Sequence, residues 1–522
     1  MKLDSVVQRA EKFWKEVQKL PDVESNTVLA LPDGVKFLGH HQGICKLFVR
    51  KSYVDLHTLI HDTYKSTLAV IITGNPGIGK TYFSLYELYR LSKKQPTYDG
   101  VKYVVYTSVP LNLHFCFCFG SDECIPINDI GEVAKFLDPE AIYLFDAGYK
   151  GDGRCISPVL GARRTIVFSS PAEKNYKLFR DSLPPPHDCS MRYVTLYMPV
   201  WSWDELETWC ELRKEPADQR TLIKEKFMVQ GGIPRYVLEP ALTTDSLKEK
   251  VSTVITTNSF NVLLNMGGNQ NTDKVSHQIF HLKLDNKQVT GEGEEEDVSE
   301  EEQIDYGKAS LTFASLFVRE AVFREYKQKC QSHIVNKIAA KRRLFDQTDA
   351  DLFELCVHSG LTKGGKFNVR CLTTQAISEL TLPSLQVKHY LNTRELSKLK
   401  NETSVYLRPV PKNSETVDAI ILHNGDIIGI QITLADHHEI KKNGLELVQE
   451  ALGCGPDTHF KVYFVVPDTT FGDGKSYQTP QKFTGARGRV LKQYNPKNVC
   501  QSILEIKLQS QKIRSSTCSS ST

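Results

Sequence analysis

Eight residues, Gly74-Asn75-Pro76-Gly77-Ile78-Gly79-Lys80-Thr81, constrain this chain of 522 more than any other stretch. They satisfy the pattern G-x-x-x-x-G-K-[ST], and their flanks agree with it. Leu68-Ala-Val-Ile-Ile-Thr73 is a short apolar run rich in β-branched residues, as a buried strand requires. Tyr82 to Leu91 follows with helical spacing of its apolar side chains. A strand, a glycine-rich turn and a helix in that order is a phosphate-binding arrangement. Backbone N–H groups close around phosphate oxygens at a helix N-terminus. In this reading Gly74, Gly77 and Gly79 shape the loop, Lys80 reaches the β- and γ-phosphates, and the Thr81 hydroxyl ligates Mg²⁺.

Such a loop belongs in a parallel α/β sheet, and further strand-then-helix signals appear at 68–73, 102–107, 141–146, 165–169 and 194–198. Ala141-Ile-Tyr-Leu-Phe-Asp146 is an apolar strand ending in an acid. Asp146 is the expected partner of Mg²⁺ opposite Thr81. Ala147 and Gly148 stand where a second, water-orienting acid often follows, which points to slow hydrolysis or a base from elsewhere. Thr165-Ile-Val-Phe-Ser-Ser170 ends in hydroxyls, so Ser169 is suited to sensing the γ-phosphate. Arg235, in Gly231-Gly-Ile-Pro-Arg235, is suited to a bidentate phosphate contact, with Arg163, Arg164 and Arg180 as weaker candidates. No guanine-specifying Asn-Lys-x-Asp is present, and ATP and GTP both stay open as the nucleotide.

Composition sets the limits. The chain is 40% hydrophobic and 24% charged, ordinary for a globular protein of two to four domains. No apolar run approaches the roughly 18 residues of a membrane span, so no membrane partner is expected. Met1 to Trp14 reads as a charged amphipathic helix rather than an apolar secretory leader. Thirteen scattered cysteines suggest reduced thiols in a cytoplasmic or nuclear compartment. Cys116, Cys118 and Cys124 lack a zinc-motif spacing and are read as ordinary thiols. The net charge of +3 hides an asymmetry: residues 305–522 hold 30 basic and 21 acidic residues, net +9, and the remainder carries −6. A basic C-terminal part favours a polyanionic partner, with DNA the expected one.

The expected organisation is a helical lead-in (1–60), a P-loop domain (61–285), an acidic linker (286–304), a helical connector (305–400), a second domain (401–508) and a polar tail (509–522). In the second domain Val417-Asp-Ala-Ile-Ile-Leu422, the turn signal Asn424-Gly425, and Ile427 to Thr433 read as a hairpin. Asp418 and Gln431 then lie on neighbouring strands, with Gln431 and Thr433 on one face.

Two resemblances follow. The set Gly74–Thr81, Asp146, Ser169-Ser-Pro171, Tyr197-Met-Pro-Val-Trp-Ser202 with Glu205-Leu206, and Gly231 to Tyr236 resembles the P-loop NTPase module of Crinkler-type effectors and of trypanosome retrotransposon hot spot proteins. Leu47-Phe-Val-Arg50 with Tyr53 looks like that module's lead-in. The similarity runs over roughly 30–285, and the Leu-Phe-Leu-Ala-Lys-type header of Crinklers is not found. The hairpin resembles a restriction-endonuclease-like core, whose pattern is Asp, hairpin, then Glu/Gln-x-Lys. The implied fold is a P-loop NTPase parallel sheet followed by a smaller α/β restriction-endonuclease-like domain. Asp418 would be a metal ligand, with Gln431 and Thr433 standing where an acid and a lysine are usual. Lys441 or Lys442 is a substitute for the lysine, and Glu402 a substitute carboxylate. A competing reading takes Asp436-His437-His438, with Asn443, as a His-Asn-His-type site. The resemblance implies an effector with ATP (or GTP) and Mg²⁺ as cofactors that acts on DNA in a host nucleus after secretion. The alternatives are an ATP-dependent switch with an inactive binding domain, and a mobile-element protein acting in its own nucleus. Homo-oligomerisation is compatible with all three.

Overall fold

The structure is a computed structural model. It describes residues 3–38, 44–64, 66–93, 100–148, 156–171, 176–185, 191–262, 276–286, 304–340, 345, 347–410, 417–455, 458–485, 490–491, 496 and 498–508. The acidic run 291–302 and the polar tail lie outside these, as do Lys341, Arg342, Arg343, Arg487, Arg489, Lys492 and Lys497, which contribute to the basic charge of 305–522. The chain divides into two compact units: residues 1–250, 266–285 and 305–310, and residues 251–265, 286–304 and 311–522.

The first unit opens with helix α1 (Leu3–Val17). Strands β1 (Thr27–Ala30) and β2 (Lys46–Val49) pair antiparallel, and helix α2 (Lys51–Thr58) follows. A seven-stranded sheet comes next, made of β3 (Ala69–Thr73), β4 (Tyr103–Ser108), β5 (Leu113–Cys118), β6 (Cys124–Pro126), β7 (Ala141–Asp146), β8 (Arg164–Phe168) and β9 (Tyr193–Tyr197). Its order is β6-β5-β4-β7-β8-β3-β9. β4, β7, β8, β3 and β9 run parallel, and all five match the strands expected from sequence. β3, β7 and β8 are buried along their whole length, as largely apolar central strands of a parallel sheet are, and β8 buries Arg164 and Thr165 as well. Helix α3 (Lys80–Ser92) follows the loop after β3.

Two features depart from the sequence reading. β5 and β6 extend the sheet antiparallel and carry Cys116, Cys118 and Cys124. Burial pushes the Cys116 thiol up to about 12, so it stays protonated. The lead-in is not a separate domain, because the Trp14 indole on α1 donates to the carbonyls of Cys118 and Ser121, both at 3.1 Å.

β10 (Phe280–Asn286) and β11 (Ile304–Phe313) form a two-stranded pair. The second unit holds an eight-stranded mixed sheet of β12 (Gly365–Cys371), β13 (Ile377–Leu382), β14 (Gln386–Tyr390), β15 (Val405–Pro409), β16 (Ala419–His423), β17 (Asp426–Ile432), β19 (Phe460–Pro467) and β21 (Val499–Ile506). The order is β13-β12-β21-β19-β17-β16-β15-β14. A minor pair, β18 (Ile440–Lys441) and β20 (Phe483–Thr484), stands apart from it. The expected helical connector is therefore only partly helical. Leu316–Ala339 and Gln347–Leu361 are helices, but β12, β13 and β14 belong to the main sheet. Their exposed positions mix polar residues with Ile377 and Val387, which hid the strand period. The Asn424-Gly425 turn is as expected: His423 pairs with Asp426, and φ is 52° and 78° at the two turn residues, as a type I′ turn requires.

Candidate nucleotide site

The loop after β3 is built on three glycines where a side chain would be strained by the backbone and crowded by its neighbours. Gly74, Gly77 and Gly79 have φ of 152°, 86° and 108°. A Cβ at Gly74 would lie 2.6 Å from the Met198 carbonyl oxygen, at Gly77 2.8 Å from Arg235 Cβ, and at Gly79 2.7 Å from the Tyr53 hydroxyl. The cradle is thus closed by segments far away in sequence. The Tyr53 hydroxyl donates to Gly79 O at 2.9 Å, and the Trp201 indole donates to Ile78 O at 3.0 Å. Trp201 N–H donates to Gly232 O at 2.8 Å, and a Cβ on Gly232 would strike the Trp201 carbonyl at 1.7 Å.

Lys80 begins α3 and donates to Gly74 O at 2.7 Å and Asn75 O at 2.9 Å. Burial pushes its ammonium down to about 7; Asp146 opposes this and the nearby Arg235 charge adds to it. Thr81 Oγ1 donates to Asp146 Oδ1 at 3.2 Å and Ser108 Oγ to Oδ2 at 2.8 Å. Burial pushes Asp146 up to about 6, against those two hydrogen bonds and the Lys80 charge. The structure so gathers Lys80, Thr81, Asp146 and Arg235, which lie apart in sequence. Ser169 directly follows β8 and donates its N–H to Ile72 O of β3 at 2.9 Å, and its buried hydroxyl has no hydrogen-bond partner among the described residues; neither has that of Thr73 at the end of β3.

These features fit a nucleoside triphosphate with Mg²⁺. The loop offers N–H groups and a cation to phosphate, Thr81 and Asp146 offer oxygens to the metal, and two buried hydroxyls await a partner. Arg164 does not serve here. It begins β8, at the strand end opposite the loop, and donates to Tyr64 O. Arg163 sits at that same end, and Arg180 pairs with Asp181 at 3.1 Å.

Sequence reading missed one neighbour. The Asn75 side chain donates to Phe280 O at 3.4 Å and accepts from Leu282 N–H at 2.8 Å, holding β10 against the loop. Just before β10, His277 is pushed down to about 4 by burial and by the Lys80 charge. A histidine some 200 residues downstream carries no local signal of this.

In the second unit Asp418 stands opposite Gln431. Asp418 N–H donates to Ile430 O at 2.7 Å, and Oδ2 accepts from Ile432 N–H at 2.6 Å. Gln431 is half-buried; Thr433 is buried and accepts from Ala435 N–H at 3.0 Å. Around them the carboxylates are already matched by arginines. Arg319 donates to Glu354 at 2.8 Å and also feels the Asp351 and Asp418 charges, and Arg408 donates to Glu320 at 2.7 Å. Glu402 is drawn away to Lys388 at 2.7 Å and adds no carboxylate. His437 is exposed. His438 is pushed down by burial, with Lys441 contributing, and its Nδ1 bonds to Glu439 O at 2.8 Å. Lys442 lies 3.9 Å from Glu446. Among the described residues, no three His, Cys, Asp or Glu side chains converge at Asp418 or at His437–His438.

No family model matches the chain. It is similar to two Phytophthora infestans proteins, Crinkler effector protein 15 and Crinkler effector protein 16, each 25% identical over 209 residues. The similarity covers 37% of this chain and 29% and 28% of the two relatives, so it spans less than a third of their length. Among solved structures, the RuvB Holliday junction branch migration motor of Thermotoga maritima aligns with 43% of this chain and 72% of its own, at 13% identity and a TM-score of 0.21. A point variant of that motor gives 12% identity and the same score, and scores of this size do not establish a common fold.

Proposed function

We propose that the first unit binds a nucleoside triphosphate with Mg²⁺ and that the protein is a Crinkler-like effector whose second unit binds nucleic acid. The observation that carries the nucleotide reading is the convergence of Lys80, Thr81 and Asp146 on a loop closed by three glycines of positive φ. Mg²⁺ bound between Thr81 and Asp146 supplies charge that offsets the phosphates. The chain's own groups do the rest: loop N–H groups and Lys80 hold the β- and γ-phosphates, and Ser169 and Arg235 read the terminal one. With Ala147 and Gly148 after Asp146, turnover is slow and the unit acts as a switch.

The C-terminal stretch 305–522, at net +9, supports a DNA partner; the second unit as a whole is nearer neutral, because it also takes in the acidic run of 286–304. The pairing of Glu354 and Glu320 with Arg319 and Arg408 favours binding without metal-dependent cleavage over a working restriction-endonuclease-like site. As part of the same proposal, the protein acts in a host nucleus. The deciding experiment is nucleotide titration by calorimetry with Mg²⁺, ATP against GTP, on the wild-type chain and on Lys80→Ala. Equal affinity in both proteins refutes the site.

A further inference from the structure

A second polar cluster lies inside the first unit and takes no part in the nucleotide site. His57 is in the last turn of α2, and His61 lies in the wide turn Leu59–Thr63, closed by Tyr64 N–H donating to Leu59 O at 2.9 Å. Such i→i+5 turns are rare and often mark functional sites. Glu87 sits in the middle of α3. His57 Nδ1 lies 3.1 and 3.2 Å from the two Glu87 oxygens, and His61 Nε2 lies 2.8 Å from Oε2. The imidazole centroids are 4.4 Å apart, and one ligand atom from each residue falls within 4.8 Å of the others. The three side chains are 5%, 1% and 0% exposed. His57 Nε2 is buried with no hydrogen-bond partner among the described residues.

The geometry points to a zinc-class divalent metal site formed by His57, His61 and Glu87, which clamps α2 onto the P-loop helix. Two imidazoles and one carboxylate are a known zinc ligand set, with a fourth position for water. Bonds of roughly 2.0–2.1 Å in tetrahedral array place ligand atoms about 3.4 Å apart, so the observed separations need only a small adjustment. Mg²⁺ and Ca²⁺ are disfavoured by the donors, since both prefer oxygen ligands and two of the three here are imidazole nitrogens. Arg164 argues the same way. Its charge also falls on Glu87, so an entering dication must gain from imidazole nitrogen what it loses to the neighbouring cation.

The consequence reaches the phosphate loop. α2 also carries Tyr53, which donates to Gly79 O at 2.9 Å, and Glu87 is on the helix that Lys80 begins. The ion therefore joins the loop's two supports. Only this coupling rests on the nucleotide reading; the metal site itself does not.

The test uses the full chain, incubated with Zn²⁺, desalted and assayed by inductively coupled plasma mass spectrometry. About one zinc per chain is expected, with a rise in melting temperature that chelator reverses. Cobalt(II) added to the wild-type chain should give the intense visible bands of a tetrahedral site, a readout that needs no variant. His61→Gln and Glu87→Gln should each lose the ion and the thermal shift. A wild-type chain with neither stoichiometric zinc nor a cobalt band leaves a proton-bridged triad only and overturns the proposal. Full metal content in folded His61→Gln and Glu87→Gln proteins also overturns it, because the ion then sits elsewhere, for example on cysteine. Nucleotide titration of the zinc-loaded and stripped wild-type chains is read separately. Unchanged affinity removes the coupling and leaves the site.

Discussion

Arg50 and Glu205, 155 residues apart in sequence, form a two-pronged ion pair: Arg50 Nε donates to Oε1 at 2.7 Å and Nη2 to Oε2 at 2.8 Å. Arg50 is fully buried, and its remaining donors reach the carbonyls of Pro199 and Val200 at 3.0 and 3.1 Å. Glu205 Oε2 also accepts from Ser202 N–H at 2.9 Å, completing a capping box on the helix Trp203–Arg213. One carboxylate thus fixes a helix start and the segment that carries Trp201 to the phosphate loop.

Breaking that pair from one side strands the other charge. Glu205→Ala is expected to destabilise the protein by about 3–5 kcal/mol, since Arg50 would remain buried and uncompensated. Chemical denaturation measures this, and a loss below about 1 kcal/mol would show that Arg50 is hydrated in the native state.

Lys80→Ala should abolish nucleotide binding while leaving the melting temperature near that of wild type, because the alanine removes a desolvated charge as well as a phosphate contact. Fluorescent-nucleotide titration and circular dichroism together separate loss of binding from loss of fold.

Nucleotide binding should be linked to protons in opposite senses at two pH values. Lys80 titrates at about 7, and a phosphate beside it raises that value, so binding at about pH 8 takes up a proton and affinity falls as pH rises further. Asp146 titrates at about 6, and Mg²⁺ lowers that value, so below about pH 6 metal binding releases a proton and metal affinity rises with pH. Calorimetry in buffers of different ionisation enthalpy reads both. Proton release at pH 8 would contradict the Lys80 assignment.

Gly77→Ala places a Cβ 2.8 Å from Arg235 Cβ at a φ of +86°. The left-handed backbone alone costs roughly 1–2 kcal/mol. The variant is expected to weaken nucleotide binding at least tenfold, a factor equal to about 1.4 kcal/mol. Wild-type affinity in this variant would mean that the loop opens when it binds.

The full chain should retard duplex DNA at low salt and release it steeply as salt rises, through counterion release. Asp418→Asn should leave that binding unchanged, because the carboxylate is engaged with Ile432 N–H rather than with phosphate. Plasmid nicking in Mg²⁺ that Asp418→Asn abolishes would establish a nuclease instead.

The sequence alone determined what is local. The β-branched run before Gly74, the acid ending β7 and the Asn424-Gly425 turn are encoded by neighbours in the chain, where strand period, glycine and turn chemistry act over a few residues. What only the tertiary structure decided is whatever depends on residues far apart. β12–β14 carry no clean apolar alternation and became strands by joining the two ends of the sheet. Arg319 came to pair with Glu354 within reach of the Asp418 charge, and His57, His61 and Glu87 met across two helices. Charges and ligands interact through space over a few ångströms, and chain separation says nothing of that distance until the fold has closed it.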